Sequence, residues 1–291
     1  MSELQRAATP WSPAEIVTER RQLRRAGQPA LEWVEARPAG GSSGAPLLFV
    51  HGAFTGAWSW EEGMLDFFAR RGRRAAAVSL RGHGASEGGP ELRRAGLDDL
   101  LADLRAALAE VGDRPVLIGH SLGGFLAQCL IGHVPLGGLV LMGSLPADGL
   151  ALIGPTLALT EPRIWLDAVG SALSNSRAVT GSAHLGLLFG QGVPPAEALR
   201  HAARMVPESP RALAEAHLPR PIVPAWSAGL PTLVVNGTAD LLVWPLSALR
   251  TALYHGAAQD YVPGGGHFLM LDVSADGTAR TVLDWLCHRG I

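Results

Sequence analysis

The sequence predicts an α/β fold, a doubly wound, mostly parallel sheet with a helical cap insertion. Three observations predict it. Short, nearly all-apolar runs recur along the chain and end at glycine or close to it, as strands buried on both faces of a parallel sheet do. Amphipathic helical patterns lie between these runs. The alternation then stops between about Leu145 and Gly229, where helical patterns continue with no convincing strand.

Taken in order, residues 1–30 are polar and arginine-rich and read as a loose arm leading into edge strands. Leu31–Arg37 (LEWVEAR) alternates as a half-buried strand does. PAGGSSGAP, 38–46, is turn chemistry throughout. PLLFVHG, AAAVSLRGHG, PVLIGHS, GLVLMGS and TLVVNGT then supply the buried parallel strands, and QDYVPGGGH is a weaker sixth case. Among the helices, GLDDLLADLRAALAEVG places Leu97, Leu100, Leu101, Leu104, Leu108 and Val111 on one stripe. TGAWSWEEGMLDFFARR, LGGFLAQCLIGHV and DGTARTVLDWLCHR read the same way. The core is therefore expected at 31–144 and 230–291, with a helical cap at 145–229. Within the cap, IWLDAVGSAL, PAEALRHAARMV and SPRALAEAHL are helical patterns separated by Pro and Gly. Such an insertion is too long for a loop. Placed after a strand end, it is expected over the crevice where these sheets bind ligands.

Composition narrows the chemistry. A net charge of −2 gives no general reason to bind nucleic acid, and the local arginine clusters read as solvated faces. All 24 basic residues are arginine. The absence of lysine removes Ser–Lys dyads, Schiff-base chemistry and Walker-type phosphate binding. Cys129 and Cys287 form no metal-ligand spacing, so a reduced, cytoplasmic setting is expected. No metal and no nucleotide cofactor is indicated, since the histidines are scattered and no GxGxxG follows a strand. Met1–Arg20 carries no apolar stretch of the secretory kind. Pro115–Ala147 lacks Asp, Glu and Arg but is broken by Gly, Ser and Pro, so no membrane span is expected.

Gly-x-Ser-x-Gly occurs three times, around Ser42, Ser86 and Ser121. Ser42 lies in a turn with no strand before it, and Ser86 lies in a loop. Ser121 alone has an apolar strand before it (Val116, Leu117, Ile118) and a helix after it. That order suits a nucleophile on a sharp strand-to-helix turn, with glycines where backbones come close. A serine hydroxyl needs a base, and the base needs an acid to hold its tautomer. Asp240 follows a strand in TLVVNGTAD, and His267 follows the last strand in VPGGGHFLM. Asp148 comes after another such run, GLVLMGS.

These motifs together resemble an α/β-hydrolase of the cap-bearing, serine-esterase type. The resemblance rests on HGAF at 51–54, RGHGASEG at 81–88, GHSLGG at 119–124, NGTAD at 236–240 and GGGHF at 264–268. HGAFTGAWSW is similar to the HGxxxGAWxW segment of methylesterase and hydroxynitrile-lyase-like members. The resemblance implies Ser121 as nucleophile, His267 as general base and then acid, and Asp240 as its orienter, with Asp148, where some members carry their acid, as the rival. It also implies an oxyanion hole from the N–H of Leu122 and of Ala53, with Phe54 as the neighbouring alternative. His51, His83 and His120 read as loop-orienting residues, and Trp58 and Trp60 as packing. Asp272 reads as a loop or helix cap.

The expected partner is a small molecule: an ester, thioester or lactone with a hydrophobic acyl or aromatic part, because GLALIGPTLAL and HLGLLFG make the cap apolar. Arg163 and Arg177 keep a dianionic substrate open. An aspartate-nucleophile dehalogenase or epoxide hydrolase is disfavoured by serine at the elbow. Two other readings stay in view. One is C–C bond cleavage, cyanohydrin lysis or rearrangement on the same triad, although the pocket lysine of the lyases is missing. The other is a non-catalytic small-molecule receptor.

Overall fold

A computed structural model describes residues 15–160, 162, 163, 165, 166, 182–190 and 192–291. The first half of the expected N-terminal arm, nearly all of the expected IWLDAVGSAL helix and Arg177 lie outside the described residues. Arg163 is exposed.

Eight strands form one sheet: β1 (Ile16–Arg25), β2 (Gln28–Pro38), β3 (Leu47–Val50), β4 (Ala75–Val78), β5 (Val116–His120), β6 (Gly138–Met142), β7 (Thr232–Gly237) and β8 (Ala258–Val262). Their order is β1-β2-β4-β3-β5-β6-β7-β8. β1 and β2 run antiparallel to their neighbours, and every other pairing is parallel. The sheet is thus the doubly wound, mostly parallel one expected. β3, β4, β5, β6 and β7 are buried along their whole length. Helices cover both faces, so two apolar layers form. One gathers Leu100, Leu104, Phe125, Leu126 and Leu141. The other gathers Phe49, Trp60, Phe68, Val140 and Trp285.

Three local readings change. Residues 16–25 belong to the sheet rather than to a loose arm. Their side chains are mostly polar, and ion pairs do what apolar burial does elsewhere. Arg20 reaches Glu32 and Glu61, and Arg21 lies 2.5 Å from Glu110. β2 is buried on both faces, not half-buried, because its acidic residues are partnered. Arg74 holds Glu35 through two contacts of 2.9 and 2.8 Å. The helical pattern after Gly56 is split into α1 (Trp58–Glu61) and α2 (Met64–Ala69), with Gly63 between them at φ 146°.

α3 (Leu97–Val111) buries its leucine stripe as the spacing requires. α4 (Ser121–Gln128) follows β5 directly. Between β6 and β7 the described residues hold no strand. They form α5 (Ile153–Thr160), α6 (Ser182–Leu188), α7 (Pro195–Ala202) and α8 (Pro210–Glu215). α9 (Pro245–His255) and α10 (Ala275–Arg289) complete the core. No described helix is long and apolar enough to cross a membrane.

Candidate active site

Ser121 sits where β5 ends and α4 begins, with φ 49°. This left-handed conformation strains a residue with a Cβ. It persists because its surroundings allow nothing else. A Cβ on Gly119 would lie 2.7 Å from the Gly123 carbonyl oxygen, and one on Gly123 would lie 2.3 Å from that of His51. Both glycines are therefore required for β5, α4 and the His51 loop to meet. The Ser121 carbonyl accepts from the Leu145 N–H at 3.2 Å. The other two serines are placed differently. Ser86 Oγ donates to the Ser79 carbonyl at 2.6 Å and accepts from the Glu32 N–H at 2.7 Å. Ser42 is an exposed loop residue.

His267 Nδ1 lies 3.0 Å from Asp240 Oδ2, and both side chains are buried. A carboxylate accepts, so Nδ1 carries a proton in this contact. Asp240 Oδ1 accepts from the N–H groups of Leu242 and Val243 at 2.9 and 2.8 Å. Asn236 Nδ2 braces the same turn by donating to the Val243 carbonyl at 2.9 Å. The GGGH loop is held by Asp272, whose Oδ2 accepts from the Gly266 N–H at 2.9 Å and the Gly190 N–H at 2.8 Å. Asp148, the rival acid, pairs instead with Arg250 on the outer surface. It lines a groove of about 540 Å³ with Arg220 and Tyr254, away from His267.

The three motif histidines are buried and structurally engaged. His120 Nε2 donates to the carbonyl of His267 at 3.0 Å, which ties the elbow to the GGGH loop. Burial and the neighbouring His267 hold its pKa well below the ordinary value. His51 Nδ1 donates to the Gly52 carbonyl at 2.7 Å, and its Nε2 accepts from the Leu80 N–H at 2.9 Å. Burial and the charge at His83 lower its pKa to about 3, so it stays neutral. His83 Nδ1 donates to the Arg81 carbonyl at 3.0 Å, and Nε2 lies 3.2 Å from Glu208 Oε2. Glu208 gave no signal in the sequence. VPESP reads as a turn, and only the fold brings it to RGHG.

Of the residues named for an oxyanion hole, Leu122 directly follows Ser121, and Ala53 and Phe54 follow Gly52, where an added Cβ would lie 2.8 Å from that of Ser121. Leu122 is in the first turn of α4, whose N-terminus carries partial positive charge. Ala53 and Phe54 follow β3, and Phe54 has φ 68°. Among the described residues the N–H groups of Ala53, Phe54 and Leu122 donate to no backbone acceptor outside their own helix. The arrangement offers a strained serine, a buried histidine–carboxylate pair and unspent amides, the parts that acyl transfer needs.

Trp60 packs on Phe49 with ring centroids 5.0 Å apart. Trp58 instead faces the insertion, stacking on His201 at 6.1 Å. Behind α4, Gln128 Nε2 donates to the Leu145 carbonyl at 2.7 Å, and its Oε1 accepts from His255 Nε2 at 3.0 Å. His255 Nδ1 accepts from the Ala225 N–H at 3.1 Å. Burial lowers the His255 pKa to about 4, which keeps that lone pair available. Both ends of the insertion are thereby tied to α4.

Known proteins share this architecture. A thermophilic esterase from Thermogutta terrifontis superimposes with a TM-score of 0.68 at 20% identity, covering 93% of this chain and 99% of that one. A haloalkane dehalogenase loop variant from Bradyrhizobium elkanii gives 0.70 at 20% identity, over 95% and 98%. At such identities the likeness is one of fold. In sequence, Epoxide hydrolase 4 of Mus musculus is 35% identical over 91 residues, 31% of this chain. The matches span about a quarter of the length of such curated relatives, 25% and 27%. A model of the alpha/beta hydrolase family covers residues 47–281, from β3 into α10 and through every motif of the site. The chain belongs to the alpha/beta hydrolase family.

Proposed function

We propose that the protein is a serine hydrolase that cleaves carboxylic esters, thioesters or lactones of hydrophobic small molecules, using its own side chains and no cofactor. One juxtaposition carries the reading. A serine in a left-handed turn lies at a helix N-terminus, and His267, paired with buried Asp240 at 3.0 Å, lies on a loop bonded to that same turn through His120.

In this reading Ser121 Oγ attacks the carbonyl carbon as His267 Nε2 takes its proton. The N–H groups of Leu122 and Ala53, with Phe54 as the alternative, hold the oxyanion. His267 then protonates the leaving alcohol or thiol, and an acyl-serine remains. Water enters, gives its proton to His267 and releases the acid. Asp240 keeps the Nδ1–H tautomer throughout and stabilises the imidazolium. Residues 145–229 act as the cap. Phe189 of the cap packs on Phe268 beside His267, with centroids 5.6 Å apart, which favours an apolar acyl or aromatic group over a dianion.

A fluorophosphonate probe followed by peptide mapping tests the assignment. Labelling is expected at Ser121 and is expected to vanish in Ser121→Ala. Labelling at Ser86 or Ser42, or none, overturns it.

A further inference from the structure

The stretch of the insertion between α7 and α8 crosses the oxyanion loop and is fastened there by polar links. The Val206 N–H donates to the Phe54 carbonyl at 2.9 Å. Glu208 Oε2 lies 3.2 Å from His83 Nε2, with both side chains almost completely buried. Ser209 Oγ donates to the Ala95 carbonyl at 2.5 Å. Two of these links bear on residues next to the reacting centre. Phe54 follows Ala53 and is held at φ 68°, a conformation that needs outside support in a residue with a side chain. His83 lies with its ring 5.0 Å from that of His51, which fixes the Gly52 carbonyl just before Ala53.

His83 Nδ1 donates to the Arg81 carbonyl, and its Nε2 faces Glu208 Oε2 in a charge contact that falls outside hydrogen-bond geometry. A buried carboxylate beside an imidazole that can donate from both nitrogens is an ion pair, and it joins cap to core. We propose that Glu208 and His83 form a latch that couples seating of the cap to assembly of the oxyanion loop, so that the strained Phe54 conformation holds only when the 203–209 segment is down. Both are positioning residues, and the role rests on the hydrolase reading above.

Charge supports the geometry. Burial disfavours a cation at His83, but the Glu208 carboxylate and the Arg81 carbonyl outweigh it and raise its pKa. Asp103, on α3, adds to that direction, and the neighbouring His51 stays neutral. Burial likewise disfavours the Glu208 carboxylate, yet His83 and the Ser209 N–H lower its pKa. A raised imidazole pKa means that the latch is complete below the ordinary histidine range. It loosens as pH rises through the raised value.

The test begins with fluorophosphonate on the intact protein. An unlabelled Ser121 overturns the hydrolase reading and the latch with it. With Ser121 labelled, Glu208→Gln is expected to lower kcat on a p-nitrophenyl ester about tenfold or more. It is expected to weaken a trifluoromethyl ketone, which forms an oxyanion on serine, in the same ratio, with KM within about threefold of wild type. A change in KM alone, or unaltered ketone affinity, overturns the latch and leaves the hydrolase reading standing. Val206→Pro removes the N–H that holds Phe54 while keeping the ion pair. The same kinetic pattern is expected, and an unchanged kcat overturns the latch. Wild type gives a reading that needs no variant to fold. Its ketone affinity is expected to fall on the alkaline side as His83 loses its proton, and a flat affinity from roughly pH 6 to pH 10 overturns the coupling.

Discussion

Two buried histidine–carboxylate pairs lie on this scaffold, and they differ in what they leave unspent. In the His267–Asp240 pair the carboxylate takes the imidazole on one oxygen and two backbone N–H groups on the other. Among the described residues His267 Nε2 makes no hydrogen bond, so one nitrogen remains available for chemistry. In the His83–Glu208 pair both ring nitrogens face acceptors and the carboxylate takes the Ser209 N–H. The first pair is open on one side and can pass a proton. In the second a buried carboxylate covers the remaining nitrogen, so the pair joins two segments. Similar residue types at similar distances therefore support different work, and the deciding feature is the unused atom.

The comparison can be broken most sharply at the open pair. Asp240→Asn is expected to lower kcat on a p-nitrophenyl ester about 10⁴-fold, because the wrong tautomer then faces Ser121. Asp148→Asn is expected to leave kcat within about threefold, since Asp148 belongs to an exposed ion pair. The reverse ranking would transfer the acid's role to Asp148.

A smaller effect separates the closed pair. Glu208→Gln removes the counter-charge, so the buried imidazole sheds its proton and the charged link is lost, and chemical denaturation is expected to show a loss of about 1–3 kcal/mol. The double variant His83→Gln with Glu208→Gln removes both charges and is expected to recover part of that loss. The pH dependence has two limbs. Glu208 has a lowered pKa, so its contribution is present above the unfolded carboxylate value and lost as pH falls through the folded one. His83 has a raised pKa, so its contribution is complete below the unfolded histidine value and lost as pH rises through the folded one. The difference in stability between wild type and the double variant should thus be largest between those two unfolded values, in mildly acid solution. A difference independent of pH would show that the pair is not ionic. The smallest effect concerns Ser86, whose string matches that of Ser121. Ser86→Ala is expected to cost about 1 kcal/mol of stability through its two lost hydrogen bonds and to leave fluorophosphonate labelling intact.

The elbow was legible because its signal is local. An apolar run, a serine between two glycines and a following helix lie within a dozen or so residues, and each glycine's lack of a side chain has a steric reason in the fold. Asp240 and His267 were legible because strand ends place them on one rim of the sheet. The strand at 16–25 was not, because its partners are charged. VTERRQLRR looks like a solvated arm until Glu32, Glu61 and Glu110 arrive from elsewhere in the chain. The break at Gly63 hid inside a helical pattern that continued on both sides. Glu208 was invisible for a similar reason to that strand. A carboxylate between two prolines means nothing until the imidazole it neutralises is known.

The ties behind α4 carry a consequence for engineering. Gln128 grips the segment where the chain leaves the sheet at Leu145, and His255 grips it where it returns at Ala225. Gln128 and His255 also grip each other. The two ends of the insertion are thus pinned to one rigid mount beneath the serine. A segment borrowed from another hydrolase and joined between these pins is expected to inherit fixed ends. Such a graft would still need its own answer to the His83 charge that Glu208 now neutralises.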